Sequence, residues 1–225
     1  MSFARQVWAL LKKDLRLEWR SREMLTTIFF FTFLSLSVFG LSLQASPTVQ
    51  RQVVSGLLWA TLAFAGTLGM GRLYAAELEE GALNGLRMAP VAYEAIFLAK
   101  QMSLLLFLLS CALWSVPLAA FMFQADITML WPDLIPIMLL GLWGFSIIGT
   151  LMATLLLHAR FREALLPLLF LPLVLPILIS GARATSELLG VAGLPQTAFW
   201  VRGFLLFDLL FFILGLWLYA PQLEQ

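Results

Sequence analysis

Residues 134–157 read LIPIMLLGLWGFSIIGTLMATLLL, a run without Asp, Glu, Lys or Arg. A helix needs roughly 20 mostly apolar residues to cross a hydrocarbon core of about 30 Å. This run meets that length and reads as a transmembrane span. Applied outward along the chain, the same ruler gives five more: Met24–Leu43, Val53–Gly71, Ile96–Phe121, Ala164–Ser180 and Phe199–Ala220. Ala164–Ser180 is the shortest and carries Pro167, Pro172 and Pro176, so it is expected to be the least regular. Each proline removes a backbone donor and crowds the preceding turn, which neighbouring helices must compensate.

The composition agrees with these spans. Apolar residues make up 61% of the chain and charged residues 12%, against roughly 45–50% and 25% in a soluble domain. One core cannot hide that excess, so lipid must cover much of the surface. The expected fold is all-α and polytopic: six transmembrane helices in a single transmembrane domain over 1–225, preceded by an interfacial helix. A formal net charge of +1 excludes an electrostatic nucleic-acid binder, which needs a basic face. Cys111 is the only cysteine and His158 the only histidine, so neither an internal disulfide nor a Cys/His metal cluster is expected.

Lysine and arginine set the orientation. With the N-terminus cytoplasmic, the inside segments hold Arg5, Lys12, Lys13, Arg16, Arg20, Arg22, Arg72, Arg87, Lys100, Arg160 and Arg162; the outside holds Arg51, Arg183 and Arg202. Both termini are therefore expected in the cytoplasm, with the chain in a bacterial inner membrane. A cleaved signal peptide is not expected, because the charged start is too long for an n-region and the first apolar run exceeds an h-region.

Residues 2–23 read as an amphipathic elbow helix. Phe3, Val7, Leu11, Leu15 and Trp19 recur every fourth residue as an apolar stripe. Lys12, Lys13, Arg16 and Arg20 fall largely off it, where they meet anionic headgroups, and Glu18 and Arg22 are spaced as an (i, i+4) pair. The longest polar interruption is 72–100, within GRLYAAELEEGALNGLRMAPVAYEAIFLAK at 71–100. Glu77, Glu79 and Glu80 precede Gly81; Leu83 and Leu86 then share a face at helical spacing, and Pro90 ends the element. A short helix parallel to the membrane, acidic at one end and offering leucines to a partner, fits this pattern. A solvated loop fits it equally.

The run Tyr74-x-x-Glu77-x-x-Glu80-Gly81-x-Leu83-x-x-Leu86, followed by Ala89-Pro90 and Lys100, resembles the coupling segment of type-2 ABC exporter permeases. Among these it is most similar to the haem exporter protein B family, the permease of the cytochrome c maturation system. The opening Lys13-Asp14-Leu15-Arg16-Leu17-Glu18 with Arg20-Ser21-Arg22-Glu23, and the proline-rich Leu165–Gly181, resemble that family too. The resemblance covers essentially the whole chain. It implies that Tyr74, Glu77, Glu80, Gly81, Leu83 and Leu86 engage a separate ABC ATPase subunit, and that the chain forms a homodimer alongside haem-handling membrane proteins. It implies no cofactor bound directly, with haem handled by the complex and ATP by the partner. The family usually has aspartate where Glu77 and Glu80 stand, which keeps the charge, and an acid where Asn84 stands.

Asp208 is the one acid well inside an expected span. An intramembrane carboxylate costs roughly 2.5–3.5 kcal/mol on insertion scales, which makes it a functional candidate. Two other readings compete: the carboxyl is held neutral or paired inside the bundle, with Arg202 as the nearest candidate, or the sixth helix begins later and leaves it near the interface. His158 ends the fourth span beside Arg160 and Arg162 and reads as part of a cytoplasmic anchor rather than a haem ligand. Trp131, Trp200 and Trp217 suit an aromatic belt, and Gly66-x-x-Gly69 and Gly141-x-x-Gly144 suit close helix approach. No G-x-x-x-x-G-K-[ST] loop occurs, so ATP hydrolysis by that route requires another chain. The expected function is a non-catalytic permease subunit; the alternatives are a type-2 ABC permease for another substrate, or an ATP-independent channel or carrier using Asp208.

Overall fold

Seven helices run through the described residues of the computed structural model, which are 2–42, 47–73, 90–123, 131–157, 159–190 and 197–223. They are α1 (Phe3–Ser21), α2 (Glu23–Ser42), α3 (Pro47–Arg72), α4 (Tyr93–Met122), α5 (Trp131–Leu155), α6 (Arg162–Leu188) and α7 (Thr197–Leu223). The last six each contain a stretch long and apolar enough to span a membrane. From 20 residues in α2 to 30 in α4, they measure about 30 to 45 Å at about 1.5 Å per residue. The chain is a multi-pass, all-helical membrane protein.

Burial sorts these helices into centre and periphery. Within the spanning windows, 72% of α5 and 61% of α3 are buried, against 17% of both α2 and α7. α5 packs against α3, α4, α6 and α7. Lipid tails are as apolar as leucine, so helices in a bilayer associate through close packing and polar contacts rather than by escaping water. Trp59 supplies both. Its fully buried indole lies 6.2 Å, centroid to centroid, from the rings of Phe145 and Phe204. Its N–H donates to the Thr185 hydroxyl at 3.0 Å, joining α3 to α6. Gly141 and Gly181 lie so close to the indole that a Cβ at either position would overlap it. Trp59 is thus a core side chain.

The fifth span differs from expectation. α6 is one continuous helix of 27 residues, carrying Pro167, Pro172 and Pro176 and running past Ser180 to Leu188. It is long enough to cross. Its buried residues, Leu166, Phe170, Val174, Ile177, Gly181, Ala184 and Thr185, follow the helical period across its length. Pro172 and Pro176 lie exposed, off that stripe. Packing against α3 and α5 holds the helix together on one side while the prolines interrupt hydrogen bonds on the other.

The expected stripe of α1 is also revised. Leu11 is buried, but Phe3, Leu15 and Trp19 are 47%, 39% and 72% exposed. A four-residue step overshoots the 3.6-residue turn by about 40°, so four steps carry the stripe about 160° around the helix. Phe3 and Trp19 therefore point to nearly opposite sides of the helix. The face turned toward α4 instead places Leu10, Leu11 and Asp14 together. Glu18 and Arg22 are not partners on one continuous helix, because α1 ends at Ser21 and Arg22 adopts φ 53°. The Glu18 carboxylate accepts the Leu25 N–H at 3.1 Å, capping the first turn of α2, while Arg22 lies 5.8 Å from the Trp19 ring centroid.

Candidate functional site

The expected coupling residues Tyr74, Glu77, Glu80, Gly81, Leu83 and Leu86 lie within 74–89, outside the described residues, as does His158. The chain entering and leaving 74–89 is described, and four helices meet there. α3 ends at Arg72 and Leu73 follows in a turn; α4 starts at Tyr93 after Pro90, Val91 and Ala92. The last carbonyls of a helix lack intrahelical donors and carry partial negative charge, so nearby cations are favoured. Arg162, the first residue of α6, donates from Nη2 to the Gly71 carbonyl at 2.8 Å. Lys100, from α4, donates from Nζ to the Leu73 carbonyl at 3.0 Å.

Lys100 belongs to the interior rather than to a solvated loop: its side chain is 5% exposed. A buried ammonium requires a paired charge and further acceptors. Asp14 of α1 provides the charge, with Oδ2 3.2 Å from Lys100 Nζ and accepting from the Ser103 hydroxyl at 3.4 Å. Lys13 Nζ lies 3.2 Å from the other carboxylate oxygen. Eight residues earlier on α1, Gln6 reaches the downstream end. Its Oε1 accepts the Ala92 N–H at 3.3 Å and its Nε2 donates to the Pro90 carbonyl at 3.5 Å. Lys100 and Gln6 therefore fasten opposite ends of 74–89, and α1 takes part in both attachments.

Asp14, Gln6 and Arg162 were not singled out as site residues by the sequence. One signal did point to the ion pair: Lys100 falls inside the expected span Ile96–Phe121, and a lysine there needs a counter-charge. The partner lies 86 positions away in sequence and is brought close only by the packing of α1 on α4.

Asp208 sits within α7, which starts at Thr197, so the later helix start that would leave it at an interface does not occur. It is 5% exposed and packs against Gly144 of α5, near Ile177 of α6. Neither carboxylate oxygen has a hydrogen-bond partner among the described residues. Arg202 is exposed and does not pair with it. Six residues correspond to about 9 Å of rise and about 120° of rotation away from a shared face, which explains the separation.

Residues 5–220 match the family described as CcmB protein. The Heme exporter protein B of Rhodobacter capsulatus is 33% identical over 189 residues, covering 83% of this chain and 84% of that protein. The protein of the same name from Paracoccus denitrificans is 32% identical over 193 residues, covering 84% and 86%. That of Pseudomonas aeruginosa is 28% identical over 188 residues, covering 84% and 83%. With the match extending from α1 through α7, the chain belongs to the CcmB protein family.

Proposed function

We propose that this chain is the non-catalytic permease subunit of an ABC-type haem exporter serving c-type cytochrome maturation. ATP is hydrolysed in a separate subunit that docks on residues 74–89, with Tyr74, Glu77, Glu80, Gly81, Leu83 and Leu86 as its contacts. The observation that carries this reading is the attachment of both ends of 74–89 to the bundle, by Lys100 at Leu73 and by Gln6 at Pro90 and Ala92. A segment that receives force from an ATPase must pass it to the spans, and polar contacts at both ends provide that path. Membership of the CcmB protein family and the relatives named Heme exporter protein B supply the cargo.

The same reading places the chain in the bacterial inner membrane with both termini cytoplasmic, in agreement with the arginine and lysine distribution. It works as a homodimer with two ATPase copies, beside membrane proteins that handle haem. This subunit binds no cofactor directly; haem is the cargo of the complex and ATP belongs to the partner. The side of α1 that carries the exposed Lys12, Arg16 and Trp19 suits a helix lying at the headgroups.

The test is a pull-down of the tagged chain from native membranes, followed by mass spectrometry, comparing wild type with Glu80→Ala/Leu86→Ala. Co-purification of an ABC ATPase with wild type and its loss from the variant uphold the docking assignment. Absence of an ATPase from the wild-type complex, or its retention by the variant, refutes it. Loss of mature c-type cytochromes on deletion of the chain separates haem from other cargoes. The Asp208 carboxyl, without a hydrogen-bond partner among the described residues, favours one rival, an ATP-independent carrier. Transport by the chain alone in liposomes would establish that rival.

A further inference from the structure

We propose that Asp14, Lys100 and Gln6 are positioning residues that tie α1 to the end of α3 at Leu73 and to the approach to α4 at Pro90 and Ala92, so that movement of these two flanks is passed to α1. This rests on the reading of 74–89 as the ATPase dock. Its geometric basis is independent of the cargo. Lys100 bridges the Leu73 carbonyl and the Asp14 carboxylate, at 3.0 and 3.2 Å. Gln6 binds the Ala92 N–H and the Pro90 carbonyl through opposite ends of its amide, at 3.3 and 3.5 Å. One helix therefore holds both the entry to the segment and the exit from it.

Interfacial anchoring alone would not call for these contacts. A helix that only lies on headgroups can keep its charges in solvent, as Lys12, Arg16 and Arg20 are exposed. Asp14 instead turns inward to a lysine that is 5% exposed. The arm also connects onward: Arg22 is the only residue between α1 and α2, and the Glu18 carboxylate caps the Leu25 N–H at 3.1 Å. Displacement at Leu73 or at Pro90–Ala92 consequently reaches α2 through α1 as well as reaching α3 and α4 directly. Gln6 and Asp14 make the arm part of the transmission.

The test uses the full chain in its native membrane complex. Three quantities are measured together: the ATPase subunit recovered with the tagged chain, the ATP hydrolysis of that complex, and haem-stained c-type cytochrome in the cells. The variants are Asp14→Asn, Asp14→Glu and the neutral pair Asp14→Asn/Lys100→Gln, which avoids leaving a buried ammonium unpaired. For the neutral pair, complex recovery and ATP hydrolysis are expected at wild-type levels while cytochrome falls about fivefold or more, a typical coupling effect; Asp14→Asn alone takes the counter-charge from the Lys100 ammonium and lowers recovery as well. Asp14→Glu restores cytochrome. The proposal is overturned if the neutral pair supports wild-type cytochrome, or if cytochrome falls only in proportion to recovered complex, as simple misfolding would cause. Failure of the wild-type chain to recover an ATPase overturns the docking reading itself, and is separable because it appears before any substitution.

Discussion

Replacing Gly141 with alanine probes the packing at the centre of the bundle. A Cβ at 141 would overlap Cη2 and Cζ3 of the Trp59 indole, the outer edge of its benzo ring. The ring cannot retreat easily, because it is fully buried between Phe145 and Phe204 and tethered through its N–H to Thr185. Overpacking of this kind costs about 1–3 kcal/mol. Gly181→Ala presses on the same ring at Cδ2, Cε2 and Cζ2, nearer the ring fusion. Trp59→Phe removes the outer atoms that Gly141→Ala would strike, while retaining a ring near the position that Gly181→Ala crowds. On its own, that change loses the bond to Thr185, worth about 0.5–1.5 kcal/mol. The double variant Gly141→Ala/Trp59→Phe is expected to be more stable than the sum of its parts by at least about 0.5 kcal/mol. Gly181→Ala/Trp59→Phe gains less. The assay is reversible unfolding in mixed micelles by detergent titration, run as two double-mutant cycles. Wild-type stability of Gly141→Ala, or additivity in the first cycle, would refute the argument.

Three further outcomes are expected. Glu18→Ala removes the acceptor of the Leu25 N–H, costing about 0.5–2 kcal/mol as for a lost helix cap; hydrogen exchange should accelerate at Leu25 while α5 amides remain protected. Arg162→Gln deprives the Gly71 carbonyl of its cationic donor, and detergent unfolding should register a loss of about 1.5–3 kcal/mol. Asp208→Val removes two buried oxygens that have no partner among the described residues, so stability should rise by about 1–3 kcal/mol. Under the ABC reading, cells carrying Asp208→Asn retain mature c-type cytochromes; their loss would instead favour the carrier reading.

The spans were readable because bilayer thickness imposes a length and a hydropathy that local sequence cannot disguise. Leu134–Leu157 lies within two or three residues of the observed α5 ends at Trp131 and Leu155. The second half of α6 was less visible, since Gly181–Leu188 is more polar and the three prolines suggested a break. Its continuity depends on burial of Gly181, Ala184 and Thr185 against neighbours distant in sequence. The orientation of α1 was obscured by a four-residue pattern that drifts around a 3.6-residue helix. Asp208 stood out as an intramembrane acid, but its lack of a partner emerged only when Gly144 and Ile177 were found beside it. Asp14 read as one charge of the elbow helix and Lys100 as the end of the polar stretch 72–100, because their pairing is a property of packed helices. The expected coupling residues themselves lie outside the described residues.

The filled centre around Trp59 bears on how a large flat molecule could pass. Trp59, Phe145, Phe170 and Phe204 are each at most 1% exposed, and glycines draw α5 and α6 against the indole. Protein interiors packed in this way are as dense as organic crystals. Opening a bore there wide enough for a porphyrin would mean dismantling the framework that holds α3, α5 and α6 together. The centre around Trp59 is therefore a packed core rather than a bore. A cargo of that width would have to pass outside this core.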